Sequence, residues 1–344
     1  MKMFGLKKRK VFVCVVLTAF LYLMISSFVY ATNLGRLAGD IFREVAVPAD
    51  ELYVNAFTIN QIDWEMAYWS AMTCEYTYEK KAYPLENLAL SKLGFTITRQ
   101  YSFYERNGKL EDDLMVDVGV KEISTEEGEG FTVVALAFRG SVPAALKDPT
   151  SKENMRRNMA HSPKAWKEVG ASVHGGFYDQ YRDVLTDILP ELNTKLNLNI
   201  LQNENVPEQN IKFWITGHSM GAALAELFAI ELIENGVEPE RVITYGFATP
   251  LLADQHLKEY AQSIGVSERI YKLTHKQDMV AFIGYGILFG ESLAAGGHIM
   301  KFGRQGIFDR SHHSLPRIYL PFIISQNSPL KQKQFQSSLL IEDM

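Results

Sequence analysis

A serine flanked by glycines is the residue of this sequence whose setting points most directly to chemistry. Gly217-His218-Ser219-Met220-Gly221 fits the pattern G-x-S-x-G, directly after the apolar segment IKFWIT and directly before the helical pattern GAALAELFAIELIEN. In such a strand–turn–helix setting the serine hydroxyl lies at the end of a sheet, and the helix N-terminus favours negative charge there. The pattern predicts Ser219 as a nucleophile, and the alternative is a Gly-Ser turn that only caps a helix.

A nucleophilic serine needs a base for its proton, and the base needs an orienting carboxylate. In hydrolases with this turn the chain order is Ser, acid, His, so both partners should follow Ser219. Asp278 stands just past the predicted strand RIYKLT, in a strand-end loop on the side where such sheets place catalytic groups. Asp254 begins a predicted helix and is interpreted as a helix N-terminal charge. Three histidines follow Asp278 and remain open as the base: His298, His312 and His313.

Strand and helix patterns alternate along the part of the chain that positions these residues. Buried strands are predicted at residues 131–138, 211–216, 242–247 and 270–274, and helices at 177–196, 221–235 and 254–264. Before them, residues 36–93 have a mainly helical pattern. Residues 94–104 and 114–123 alternate like the strands of a hairpin around an Asn-Gly turn. We therefore predict an α/β fold with a mostly parallel sheet, helices on both faces and a leading antiparallel meander.

The N-terminus has the composition of a membrane or export signal. Five of the first ten residues are basic and none is acidic, and residues 11–29 are almost wholly apolar. A membrane-spanning helix needs about 20 apolar residues and a cleavable signal about 7–15. Residues 1–35 are predicted to be either a signal anchor or a cleaved signal peptide, with small residues near position 31 for cleavage. Either interpretation places the remaining chain outside the cytoplasm, membrane-anchored or secreted.

The charge of the remaining 334 residues excludes one class of partner. They carry 30 basic and 40 acidic residues, which argues against nucleic acid as a partner.

We predict one domain over residues 36–324 and a polar tail over 325–344. Cys74 is the one cysteine after the apolar segment, so it has no partner there for a disulfide, and it is interpreted as a buried apolar residue. The sequence has no zinc-ligand spacing and no cofactor loop, so neither a metal nor a cofactor is expected.

Four blocks together resemble one known family. They are the segments AFRGS, VHGGF, GHSMG and THKQD, at residues 137–141, 173–177, 217–221 and 274–278. In this order they resemble the class 3 lipase family, which includes fungal triacylglycerol lipases and plant phospholipases A1. The resemblance covers roughly residues 130–320 and implies an α/β-hydrolase fold.

The resemblance also implies roles for individual residues. Ser219 corresponds to the nucleophile and Asp278 to the acid, while Ser141 and the backbone N–H of Met220 correspond to the oxyanion hole. His218, His174 and His275 are then expected to have structural roles.

The base is assigned from a partial match. Family members commonly show H-x-L-x-x-Y, and His313-Ser314-Leu315 fits its first half, but Tyr319 falls one residue late. We predict His313 as the base, with His312 as the alternative and His298 third.

Two positions after Asp278 depart from the family pattern, and the role of one segment remains open. Met279 and Ala281 stand where the family usually has prolines. Residues 142–172 occupy the position of the family's lid and have a mixed helical and basic pattern, with Met155, Met159 and Trp166 as apolar points. The alternative is an ordinary surface helix.

The expected function is hydrolysis of carboxylic ester bonds of lipids, of the triacylglycerol lipase or phospholipase A1 type. The expected partner is a lipid ester at a membrane or lipid interface, with no nucleic acid and no obligate protein partner. Two alternatives remain: an esterase or thioesterase for soluble substrates, and a catalytically inactive binding protein with the same fold.

Overall fold

The computed structural model describes the parts of the chain that contain the predicted sheet. They are residues 48–78, 89–106, 109–124, 130–141, 156–158, 162–167, 169–196, 210–282, 290–294, 296–306 and 310–327. The predicted signal or anchor at residues 1–35 and most of the predicted tail lie outside them. In these ranges no helix combines the length and the apolar character that crossing a membrane requires.

Seven of the nine strands in the described residues form one sheet. In chain order the strands are β1 Thr96–Arg106, β2 Lys109–Ile123, β3 Phe131–Phe138, β4 Pro163–Trp166, β5 Ala171–His174, β6 Ile211–His218, β7 Val242–Phe247, β8 Ile270–His275 and β9 Ile299–Phe302. The sheet order is β1-β2-β3-β6-β7-β8-β9, while β4 and β5 form a separate hairpin. β1, β2 and β3 pair antiparallel, and β3, β6, β7, β8 and β9 pair parallel.

Helices lie between the strands and before the sheet. The α-helices are α1 Glu51–Thr58, α2 Trp64–Tyr76, α3 Ala89–Lys92, α4 Gly175–Asp183, α5 Leu189–Leu196, α6 Met220–Glu234, α7 Gln255–Ser263 and α8 Leu320–Gln326. Two π-helical turns, Val184–Ile188 and Leu315–Tyr319, precede α5 and α8. Short 3₁₀ turns are formed by Pro239–Arg241, Val266–Arg269, Val280–Phe282, Gly296–His298 and Arg310–His313.

Two apolar cores cover the two faces of the sheet. One core contains side chains of α4, α6 and α7, among them Phe177, Leu224 and Leu257. The other contains side chains of α1, α2 and α8. Because the central strands are covered on both faces, their side chains are apolar on both, and all six residues of β7 are buried.

The predicted alternation of strands and helices is confirmed in the described residues. The antiparallel meander leads the sheet, and the helices predicted at 177–196, 221–235 and 254–264 are present with ends that differ by a few residues. Asp254 caps α7, because its carboxylate accepts a hydrogen bond from the Leu257 N–H at 2.9 Å. The predicted helix N-terminal role of Asp254 is thus confirmed.

The structure corrects the prediction for residues 142–172. Their last part forms the β4–β5 hairpin instead of a helix. Trp166 is fully buried, its indole N–H donates to Glu234 at 3.0 Å, and its ring lies 5.2 Å from that of Tyr181. These contacts make Trp166 a core residue, so it is not an apolar point of a lid. Met155 and Met159 lie outside the described residues.

The last described helix ends close to the predicted start of the tail at residue 325. α8 continues to Gln326, and Ile324 is buried against the second core. The rest of the predicted tail, from residue 328 on, lies outside the described residues.

The end of β3 and the start of α6 approach each other closely. A Cβ atom on Gly221 would lie 2.1 Å from the carbonyl oxygen of Phe138 and 2.8 Å from the carbonyl carbon of Arg139. Both neighbours are backbone atoms, which cannot move aside as a side-chain end can. Glycine at position 221 therefore sets the distance between the first turn of α6 and the loop after β3.

Replacement of Gly221 by alanine should destabilise the fold. The added methyl group must displace one of the two backbones, which we expect to lower the free energy of unfolding by roughly 1–3 kcal/mol. Urea unfolding followed by circular dichroism measures the change. The control is Gly296→Ala, where the added Cβ has no heavy atom within 4 Å. Equal stability of the two variants would contradict the close approach.

Candidate active site

Ser219 occupies a strained turn between β6 and α6. Its backbone has φ 59° and ψ −129°, in the positive-φ region that residues with side chains rarely adopt. The turn is held by hydrogen bonds from the Ser219 N–H to the Phe247 carbonyl at 2.9 Å and from the Ala222 N–H to the Ser219 carbonyl at 3.0 Å. Strain of this kind costs about 1–3 kcal/mol and persists only where the surroundings impose it. The turn places Ser219 at the carboxyl end of the parallel strands.

Asp278 and His313 are joined by a hydrogen bond. Asp278 follows β8 and is fully buried, and His313 Nδ1 lies 3.0 and 2.9 Å from its two carboxylate oxygens. The Val280 N–H donates to the same carboxylate at 3.0 Å. Because a carboxylate only accepts, Nδ1 of His313 carries the hydrogen, which leaves Nε2 able to take a proton.

Tyr319 is a third partner of the buried carboxylate. Its hydroxyl donates to Asp278 Oδ2 at 2.7 Å and accepts the N–H of His275 at 3.1 Å. Burial and the Asp278 charge hold the pKa of Tyr319 well above its usual range, so its hydroxyl stays a donor. The π-helical turn before Tyr319 explains why this tyrosine falls one residue later than in the pattern H-x-L-x-x-Y. A π-helical turn holds more residues than an α-helical turn, and Leu315–Tyr319 form such a turn, which accommodates a tyrosine one residue late.

The other two candidate histidines make different contacts. The His312 ring stacks on the His275 ring at a centroid distance of 4.3 Å and an angle of 5°. The His298 ring stacks on the Tyr271 ring at 4.7 Å, and its Nε2 lies 3.8 Å from a carboxylate oxygen of Glu268. Of the three histidines left open by chain order, the structure brings His313 to Asp278.

His218 joins the turn of Ser219 to the segment of His313. Its Nε2 lies 2.9 Å from the His313 carbonyl oxygen, and the two rings are 4.6 Å apart. Ser219 and His313 are therefore held at the same end of the sheet. In the described part of the chain no hydrogen bond joins Ser219 Oγ to the His313 ring. In enzymes without substrate, such bonds are often long and tighten only when the substrate binds.

The two residues expected at an oxyanion hole lie next to each other. Ser141 follows β3, and its hydroxyl donates to the thioether sulfur of Met220 at 3.5 Å. The Met220 N–H is at the first position of α6, where a backbone N–H has no carbonyl within its own helix. Both donors thus border the turn of Ser219.

Asn158 reaches this pair from the segment between β3 and β4. Its amide donates to Ser141 Oγ at 2.6 Å. The backbone beside it lies against the start of α4, since a Cβ on Gly176 would lie 1.7 Å from the Arg157 carbonyl oxygen. Arg157 also pairs with Asp183. Sequence reasoning did not identify Asn158, because no pattern connects it with Ser141, 17 residues earlier.

The described residues offer no metal site built from three or more His, Cys, Asp or Glu side chains.

Cys74 is buried, with its sulfur 3.1 Å from Thr216 Oγ1. Burial raises the pKa of its thiol to about 12, which keeps it protonated and unreactive. The interpretation of Cys74 as a buried apolar residue is confirmed.

Comparisons with known proteins match this part of the chain. Residues 135–285 match the family model described as Lipase (class 3). The putative lipase LIH1 of Saccharomyces cerevisiae is 29% identical over 165 residues, covering 44% of this chain and 46% of that protein. The lipase of Rhizomucor miehei is 26% identical over 156 residues, covering 44% and 38%. This chain thus spans less than half of the length of these two relatives.

A solved structure of the Rhizomucor miehei triacylglyceride lipase aligns with a TM-score of 0.45 and 18% identity, covering 66% of this chain and 76% of that one. The family match includes Ser141, the turn of Ser219 and Asp278. Over residues 135–285, which are less than half of the chain, the sequence is therefore similar to the class 3 lipase family.

Proposed function

We propose that this protein hydrolyses carboxylic ester bonds of lipids, with Ser219 as the nucleophile, His313 as the base and Asp278 as the acid. The observation that carries the proposal is the hydrogen bond between His313 Nδ1 and the buried Asp278, at the same end of the sheet as the strained turn of Ser219. A buried carboxylate that orients an imidazole beside a serine suits acyl transfer.

In the proposed first step Ser219 Oγ attacks the ester carbonyl while His313 Nε2 accepts its proton. Asp278 holds the Nδ1–H of His313 and stabilises the imidazolium that forms. The negative charge on the carbonyl oxygen receives hydrogen bonds from the Met220 N–H and the Ser141 hydroxyl. Because the present acceptor of the Ser141 hydroxyl is a thioether sulfur, a weak acceptor, this donor turns to the oxyanion at little cost.

In the second half of the reaction His313 gives its proton to the leaving alkoxide, and an alcohol departs from the acyl-enzyme. Water then takes the place of the alcohol: His313 accepts a proton from it as its oxygen attacks the acyl carbon. The bond to Ser219 Oγ breaks, His313 returns the proton to Ser219 Oγ, and the carboxylic acid departs. Every proton moves through His313, so the steps need no metal or organic cofactor.

Lipid esters are proposed as substrates for two reasons. The two relatives that match part of this chain carry the name lipase. The apolar segment at residues 11–29 predicts that the catalytic domain is delivered across a membrane, and where the segment is retained as an anchor it holds the domain beside lipid. Triacylglycerols and phospholipids both satisfy this chemistry.

Covalent labelling tests the nucleophile. A fluorophosphonate should modify the folded protein at Ser219, because an oriented imidazole makes that hydroxyl reactive. Intact-mass and peptide mass spectrometry detect the adduct, and Ser219→Ala should remove both the adduct and the ester hydrolysis. Absence of labelling in the folded wild-type protein would identify a catalytically inactive binding protein with this fold.

Replacement of the acid tests how His313 is oriented. Asp278→Asn keeps the shape of the side chain but loses the charge that fixes the Nδ1–H of His313, so kcat should fall by about 10³–10⁴-fold. Steady-state hydrolysis of a chromogenic ester measures the loss. Asp254→Asn is the matched control, since asparagine also caps helices well and α7 should be preserved. Comparable activity of the two variants would refute the role of Asp278.

The physical state of the substrate distinguishes a lipase from an esterase. We expect the rate of wild-type hydrolysis of a short-chain triacylglycerol to rise steeply at the concentration where the substrate forms aggregates. Titrimetric measurement of released acid across that concentration records it. Smooth saturation below the threshold, with no increase above it, would indicate an esterase for soluble substrates.

A further inference from the structure

The Tyr78 and His218 side chains form a hydrogen-bonded pair behind the Ser219 turn. His218 Nδ1 lies 2.8 Å from the Tyr78 hydroxyl, and His218 Nε2 lies 2.9 Å from the carbonyl oxygen of His313. Tyr78 comes two residues after α2, His218 ends β6, and His313 ends a 3₁₀ turn that precedes α8. The pair therefore connects three segments that are far apart in the sequence.

The hydrogen positions in this pair follow from its partners. A carbonyl oxygen only accepts, so Nε2 of His218 must carry a hydrogen. Burial and the neighbouring His313 lower the pKa of His218 well below its usual range, so the ring is neutral and Nδ1 has a lone pair. The Tyr78 hydroxyl then donates to Nδ1. Burial raises the pKa of Tyr78, so this hydroxyl keeps its proton.

The same hydroxyl touches the loop after β3. Burial raises the pKa of the Tyr78 hydroxyl. The backbone N–H of Gly140 lies against this hydroxyl and opposes the rise in its pKa by a smaller amount. A Cβ on Gly140 would lie 2.0 Å from the Tyr78 oxygen and 2.5 Å from the His218 carbonyl oxygen. Gly140 directly precedes Ser141, one of the two proposed oxyanion donors. Tyr78 thus contacts both the oxyanion side and, through His218, the base side of the site.

We propose that Tyr78 and His218 are positioning residues, which hold the backbone of His313 and the loop of Ser141 in register around Ser219. The inference rests on the proposed hydrolase function. His218 fixes the His313 carbonyl, and the Asp278 carboxylate fixes its ring, so that both ends of His313 are restrained. Displacement of a catalytic group by about 1 Å can cost as much as 10²-fold in rate.

The neutral state of His218 also matters for the reaction. During catalysis a positive charge forms on His313, whose ring lies 4.6 Å from that of His218. A second positive charge on His218 would oppose it. Among the described residues, the titratable side chains that face His218 are Tyr78, His313 and Tyr319, the last with its ring 6.4 Å away. Of these, Tyr78 supplies the hydrogen bond that keeps Nδ1 unprotonated.

The test is the Tyr78→Phe variant, which removes one hydroxyl and keeps the ring. We expect kcat to fall roughly 10-fold while KM changes less than about 2-fold, because positioning and not substrate binding is lost. Without the Tyr78 donor His218 should bind a proton more readily. The ratio of variant to wild-type kcat should therefore decrease further from about pH 8 to about pH 6.

Tyr68→Phe is the matched control. Tyr68 lies in α2, and its buried hydroxyl has no hydrogen-bond partner among the described residues. This variant should keep the wild-type kcat and pH profile. A Tyr78→Phe variant that matches it, or whose loss of kcat is the same at every pH, would overturn the proposal.

Two further variants test His218 itself. His218→Gln retains an N–H that can donate to the His313 carbonyl, whereas His218→Phe retains only a ring. We expect the Gln variant to be labelled by a fluorophosphonate roughly 10-fold faster than the Phe variant, and equal rates would contradict the proposal. Loss of wild-type labelling at Ser219 would instead refute the hydrolase function, so the two failures are distinguishable.

Discussion

The backbone of Ser219 must change from an extended strand to a helix within one residue, and much of the site depends on this turn. A positive φ at a serine is unfavourable, so the neighbouring structure has to impose it. It does so through the Phe247 carbonyl on the adjacent strand and through two glycines that let the turn pack tightly. Gly217 faces the backbone of Gly221, and Gly221 faces that of Phe138, with no room for a side chain at either position.

A second constraint is the burial of the Asp278 carboxylate. A fully buried charge is costly unless it is paired and hydrogen-bonded. Here it receives hydrogen bonds from His313, Tyr319 and the Val280 N–H. These contacts orient the imidazole and tie α8, through the π-helical turn before it, to the end of β8. The same hydrogen bonds therefore offset the free-energy cost of burying the Asp278 charge and orient the ring of His313, the proposed base.

Much of the fold could be predicted because its strands are long, apolar and separated by helical patterns. β3, β6 and β7 are buried on both faces, and this burial is visible in the sequence as mainly apolar segments. The four-residue strands β4, β5 and β9 could not be predicted in this way. These strands are too short to show an alternating pattern of apolar residues. Their residues are extended because they pair with a strand that is distant in the sequence or lies across a turn. The same limit explains why the segment of Trp166 was assigned a helical pattern.

The sequence by itself determined the turn of Ser219, the strand end before Asp278 and the resemblance to the class 3 lipases, because these depend on local spacing and on strand patterns. Only the tertiary structure decided which histidine meets Asp278, since His312 and His313 are adjacent and their side chains point to different neighbours. It also decided the places of Tyr319, Asn158 and Tyr78. A hydrogen bond needs two atoms within about 3 Å, and no local pattern encodes that distance between residues so far apart in the chain.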